Sequence, residues 1–274
     1  MRLGFYATRK PSPEYLDRLK VAARSVYPRG VTLYATTPSK ADLVLDPADT
    51  DQEMSEMFEY CASLVPWPGH DHETLYFDIE SHNVEKRWGM PVNEFTRTVQ
   101  WAWGIDGETH FSTDVSDLYC QIEKAYGLVA HNGHSFDYSV LLGDEALEWA
   151  RNGRLFDTMV FGNLANPAPF VFKDRNGVLH YMEMAGQSKV VPHTMKWLSL
   201  DNQAFQLEVP GKLGNLKELA KKYNPPKTKQ EDLDYGLIPV DDEDFVAYAK
   251  QDIPALQGIT FALLKLKTPD DYDW

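Results

Sequence analysis

The sequence predicts an α/β protein in which a mixed sheet is flanked by helices and preceded by a small α/β extension. Three observations lead there. Strand-like runs at 75–81, 96–105 and 109–113 follow one another across short turns, and helix and strand then alternate from 115 to 150. Hydrophobic content of 43% and charged content of 25% are those of an ordinary globular chain. At 274 residues the chain can bury one substantial core, or one plus a small appendage.

The elements are justified in order. Residues 1–47 read as a small α/β unit: a strand from Leu3 to Ala7, then a helix from Pro11 to Val26 opened by Ser12-Pro13-Glu14. Short strands at Val31–Ala35 and Asp42–Leu45 complete the unit, and a second helix runs from about Asp51 to Leu64. Trp67-Pro68-Gly69-His70-Asp71-His72 marks a boundary, dividing an extension of residues 1–70 from a domain of residues 71–274. His70 and His72 can be read as metal ligands, but a solvated linker is the preferred reading. Trp101 and Trp103 alternate with Gln100 and Ala102, as a core strand requires. After the turn at Asp106-Gly107 come a strand at 109–113, a helix over 115–126, a strand over 127–131 and a helix over 135–150. Phe170 to Tyr181 reads as a hairpin turning at Asn176-Gly177, either a flap beside a substrate strand or a surface ribbon. His193 and Trp197 read as packing residues before a helix near Leu198.

The formal net charge is 27 − 41 = −14, which counts against broad, non-specific coating of nucleic acid and leaves a grip on a strand end open. Lys221-Lys222-Tyr223-Asn224-Pro225-Pro226-Lys227-Thr228-Lys229 is the most basic stretch, a solvated loop and the best candidate for touching phosphates. Cys61 and Cys120 define neither a disulfide framework nor a zinc site. Without a signal peptide or an apolar run near 18 residues, the expected location is cytoplasmic.

Leu75-Tyr76-Phe77-Asp78-Ile79-Glu80 is the most informative string. Two residues apart in an extended chain, Asp78 and Glu80 point the same way out of an apolar run. Like charges held so close either share a proton or bind metal. Asp-x-Glu recurs at Asp51, Asp71, Asp106 and Asp241, but only the copy at Asp78 lies inside a strand-like hydrophobic run. Two further acidic sites follow. His131-Asn132-Gly133-His134-Ser135-Phe136-Asp137 comes after the apolar strand Gly127-Leu128-Val129-Ala130, with Asp137 in the first turn of a helix, where the helix dipole favours a carboxylate. Tyr248-Ala249-Lys250-Gln251-Asp252 is the one Tyr-x-x-x-Asp in the chain, and that spacing sets both side chains on one helix face.

Asp-x-Glu, then Asn-x-x-x-Phe-Asp, then Tyr-x-x-x-Asp resembles the three motifs of the DEDD 3′→5′ exonucleases, in the tyrosine-bearing subgroup. The likeness is to the proofreading domain of family A DNA polymerases, the phage enzymes above all. Phe156-Asp157-Thr158 and the run from Pro210-Gly211-Lys212-Leu213-Gly214 into Leu216-Lys217-Glu218-Leu219-Ala220 also fit. The resemblance spans about Glu73 to Lys265 and implies a ribonuclease H-like fold and a free-standing exonuclease.

What the resemblance implies is specific. Two Mg²⁺ or Mn²⁺ ions are expected on Asp78, Glu80, Asp137 and Asp252, with Asp78 bridging and Tyr248 orienting the attacking water. Asn132 and Phe136 are expected to position terminal nucleotides, and Ile79 and Ser81 to meet the terminal sugar through their backbone. Asn132 also reads as a helix N-cap. Asp157 is expected to cap the helix beginning at Thr158, and Pro254 to kink the last helix just beyond Asp252. The implied partners are single-stranded or frayed DNA 3′ ends and a separate polymerase or replication protein of a phage-like system, in a bacterial cytoplasm. An exoribonuclease is the alternative enzyme. A catalytically silent docking module is the alternative class, disfavoured by the presence of all four acids and Tyr248.

Overall fold

The computed structural model describes residues 2–7, 10–26, 32–35, 43–46, 48–63, 66–67, 69–81, 96–165, 171–173, 179–181, 198–211, 216–229 and 232–265. The chain begins with β1 (Arg2–Ala7), α1 (Pro13–Val26), β2 (Thr32–Ala35), β3 (Leu43–Leu45) and α2 (Asp51–Ser63). The three strands form a parallel sheet in the order β2-β1-β3. Tyr15, Leu19, Ala22 and Ala23 recur at helical spacing and bury one stripe of α1. Ser12 Oγ accepts from the Tyr15 N–H at 3.1 Å at the start of that helix. A reciprocal capping box starts α2: the Glu53 N–H donates to Thr50 Oγ1 at 3.2 Å, and the Thr50 N–H to Glu53 Oε2 at 2.7 Å. The two stripes close over Leu45 with Met54, Phe58 and Cys61, and Phe261, from the last helix, packs against them.

The second sheet is built from β4 (Thr74–Ser81), β5 (Thr96–Trp103), β6 (His110–Ser112), β7 (Gly127–Ala130) and β8 (Leu155–Asp157). Its order is β6-β5-β4-β7-β8, with β6, β5 and β4 antiparallel and β4, β7 and β8 parallel. The connections are α3 (Val115–Ile122) between β6 and β7, then α4 (Asp137–Leu142) and α5 (Glu145–Arg151) between β7 and β8. After β8 come α6 (Thr158–Ala165), the hairpin β9 (Val171–Lys173) and β10 (Leu179–Tyr181), α7 (Leu200–Gln206), α8 (Leu216–Tyr223) and α9 (Glu243–Lys265). The expected mixed sheet flanked by helices is therefore present.

Strand alternation sorts β4 onto two cores. Leu75, Phe77 and Ile79 face Leu118 and Ile122 of α3 and Tyr138 and Leu141 of α4. Tyr76 faces the other way, with Ala102, Val129 and Phe156, onto Ile253, Leu256 and Leu264 of α9. Trp101 belongs to the first core and Trp103 packs at its margin, as expected of a core strand. Fully buried Phe77 contributes on the order of 1.5–3 kcal/mol by leaving water.

Two local expectations are corrected. The helix read over 135–150 is two helices, because Gly143 takes φ 54° and ends the first. Asn132 is not an N-cap: α4 starts at Asp137 behind Phe136, and Asn132 sits in the left-handed region at φ 62°. Pro254 lies inside α9, on its exposed side, and the helix runs on from it to Lys265. The residues proposed as the hairpin turn, 174–178, lie outside the described residues, as do His193, Trp197 and 212–215.

Candidate metal centre

The three parallel strands each deliver a carboxylate near their C-terminal ends. Asp78 and Glu80 lie in the second half of β4, Asp157 ends β8, and Asp137 follows β7 across a short loop. Clefts at the carboxyl ends of parallel strands are where open α/β sheets place ligands. Pairing with β7 covers only Thr74 to Tyr76, so the rest of β4 overhangs the 131–137 loop. On its other edge β4 pairs with β5, with Asp78 opposite Gln100 and Glu80 opposite Thr98, until the register shifts between Glu80 and Ser81. Such an irregularity bends a strand and re-aims the side chains beside it.

Asp78 and Glu80 share the face that α9 covers. Ile253 and Leu256 anchor α9 against the Tyr76 core, and Asp252, 2% exposed, comes down beside the acidic pair. One oxygen from each of Asp78, Glu80 and Asp252 lies within 4.8 Å of the others. At an effective dielectric of 20, two full charges at 4.8 Å repel by about 3.5 kcal/mol. A cation bound among them turns that repulsion into attraction. The donors are all carboxylate oxygens, the set a hard divalent ion takes. Among the described residues, this is the group of three or more His, Cys, Asp or Glu side chains able to hold one ion. Half-buried Tyr248 lies one turn before Asp252 on α9.

Asp137 stands beside this group rather than within it. It is 3% exposed, and its Oδ1 has no hydrogen-bond partner among the described residues. Burial pushes its carboxyl up to about 7, helped by the charges of Asp157 and Glu80. The N–H groups of Asp137 itself and of Ile79 pull the other way. A buried acid with an unsatisfied oxygen, placed near Glu80, is a further candidate ligand for a cation.

Asp157 has the structural role expected of it. Its Oδ1 accepts from the Met159 N–H at 2.8 Å, capping α6, and from the Asn132 N–H at 3.0 Å. Its Oδ2 accepts from the His134 N–H at 2.9 Å and lies 3.1 Å from His134 Nδ1. One buried carboxylate thus holds the loop that carries Asn132 and leads to Asp137. Gly133 is needed there, because a Cβ would come within 2.6 Å of the Tyr138 ring.

The expected substrate contacts are distributed around this centre. The Ile79 side chain is buried in the core, so what it offers a substrate is backbone. Ser81 and Asn132 are half-buried, and Phe136 packs at the edge of the first core. The basic stretch is partly neutralised: Lys221 pairs with Glu218 at 2.6 Å, and Lys222 with Asp242 at 3.2 Å. His70 is engaged by Glu73 at 2.6 Å and stacks on Tyr126, so it is packed rather than solvated.

Two residues at the centre escaped the sequence reading. Thr98 and Gln100 stand opposite Glu80 and Asp78, both 0% exposed. Their signal was polar residues at alternate positions in a strand otherwise filled with Val99, Trp101 and Ala102.

No known family, curated protein or solved structure matches the chain.

Proposed function

We infer that this chain is a divalent-cation-dependent 3′→5′ exonuclease of ribonuclease H-like fold, acting on single-stranded or frayed DNA ends. The observation that carries the reading is the convergence of Asp78, Glu80 and Asp252, from a strand and a helix 172 residues apart, on one point (252 − 80 = 172). The strand order and the overhang of β4 toward the Asp137 loop support it.

Asp78, Glu80 and Asp252 would hold one Mg²⁺ or Mn²⁺ ion, and Asp137 with Asp78 would serve a second. Bound there, the pair would supply an acidified water and offset charge on the attacking and leaving oxygens. Tyr248 would orient that water in line with the scissile bond. Attack on phosphorus breaks its bond to the 3′ oxygen of the preceding nucleotide. The products are a 5′-mononucleotide and a shortened strand with a new 3′-hydroxyl. Asn132 and Phe136 would hold the terminal bases, and the backbone at Ile79 and Ser81 the terminal sugar. Proofreading or nucleotide recycling beside a separate polymerase in a phage-like system is the biological setting this activity suits.

Digestion of 5′-labelled DNA and RNA oligomers, with Mg²⁺ and with chelator, tests the reading. A descending ladder on DNA that needs the metal, with closed single-stranded circles left intact, is expected. Undiminished cleavage in chelator, or cutting of circles, contradicts it. A ladder on RNA alone makes the enzyme an exoribonuclease.

A further inference from the structure

Beside the acidic pair of β4, on the same face of the sheet, lies a buried polar pair that the proposed chemistry does not use. Gln100 stands directly across from Asp78 in the antiparallel ladder, and Thr98 across from Glu80. Directly opposed residues put their side chains on the same face with Cβ atoms about 4.5–5.5 Å apart. Both are 0% exposed, so water does not satisfy them from bulk. Gln100 Nε2 donates to Thr98 Oγ1 at 2.8 Å, and Gln100 Oε1 has no hydrogen-bond partner among the described residues.

An amide is an expensive group to leave half-satisfied in a core, and a Leu of similar size would fill the same space without that cost. A half-turn about the terminal bond exchanges the two ends. The Thr98 hydroxyl then donates to Oε1, and both Nε2 hydrogens become available to the carboxylate opposite. We propose that Gln100 is a positioning residue for the cation site: clamped by Thr98 on one side, its amide fixes the Asp78 carboxylate on the other. Hydrogen bonding to a ligating carboxylate holds it in the orientation the ion needs and limits its rotation when the site is empty. The inference rests on the cation-site reading above, and it assigns Gln100 no contact with substrate.

The test is a Mn²⁺ titration of the full chain, read by the electron paramagnetic resonance of the unbound ion, beside thermal melts in chelator. In Gln100→Leu the Mn²⁺ Kd should weaken on the order of 10–100-fold, the usual effect of losing an outer-shell partner. Its Tm in chelator should fall modestly, because the hydrogen bonds to Thr98 and Asp78 go with the amide. A purely structural Gln100 lowers Tm and leaves Kd unchanged, and that result overturns the proposal. Thr98→Val, nearly isosteric, removes the clamp alone and should weaken Kd in the same direction by a smaller factor. An unchanged Kd in Thr98→Val overturns the proposal even if Gln100→Leu fails to fold. Wild-type protein that binds no Mn²⁺ removes the cation site itself. Wild-type binding with unaltered variants overturns only the role of Gln100.

Discussion

Replacing Asp252 by Asn should make the protein more stable without metal and less stable with it. The carboxylate is 2% exposed and has Asp78 and Glu80 oxygens within 4.8 Å. Asp252→Asn removes one charge of three and with it two repulsions. Each is worth about 3.5 kcal/mol at a dielectric of 20, and about half that once the half-exposed partners are screened by water. Ordering a neutral amide among acids takes back part of the gain, so a net stabilisation of roughly 1–3 kcal/mol in chelator is expected. In a chain of this size that is a Tm rise of roughly 2–8 °C. Wild-type protein at a Mn²⁺ concentration of 100 Kd should gain about 2.7 kcal/mol by mass action. The variant, which has lost a ligand, should gain little. Differential scanning fluorimetry in chelator and in Mn²⁺ would show the two melting orders inverted. A wild-type Tm that Mn²⁺ does not move, or a variant that melts lower in chelator, would refute the argument that these carboxylates form a strained, ion-ready group.

Tyr248→Phe, assayed on a labelled single strand, should lose no more than about 100-fold in activity with Mn²⁺ affinity unchanged, because an orienting hydrogen bond sits at the low end of acid–base contributions; Asp252→Ala should lose almost everything. Asp157→Ala uncaps α6 and releases the N–H groups of Asn132 and His134 together, so it should lower stability by roughly 1–3 kcal/mol in a urea melt, and a neutral result would show the loop is held elsewhere. Asp242 is held down to about 2 by the Tyr223 hydroxyl, then by the Phe245 N–H and Lys222. A folded-state value below the ordinary one stabilises at higher pH and is lost as pH falls through it. The Tm gap between wild type and Asp242→Asn should therefore be full at pH 6 and close between about pH 4 and 2.

The sequence and the structure agree most closely on β4. Its period of two set Asp78 and Glu80 on one side and Phe77 and Ile79 on the other, which needs nothing beyond the pleat. Helix positions were legible from apolar spacing, but the break at Gly143 was not. Val140, Leu141 and Leu147 keep a helical rhythm across it, and a left-handed φ is set by backbone rather than by pattern. Long-range partners were out of reach. The sequence does not show that Gln100 lies across from Asp78, because register depends on the whole hairpin. Neither does it show that Lys222 meets Asp242, so a run of lysines looked freer for phosphate than it is. Pro254 was read for its local cost, whereas the buried run from Ile253 to Leu264 carries the helix past it.

Phe261 packs against the N-terminal core and also against the core beneath Tyr76. That phenyl ring makes the N-terminal unit and the last turns of α9 share a wall. About two and a half turns upstream along the same rod sits Asp252, so the fit of the acid against β4 depends on what grips the far end. Stripping away the first 63 residues would leave that ring facing water on one side and loosen the grip. The leading segment then acts as ballast for the tail of α9, and through that helix it reaches the acids that could hold an ion.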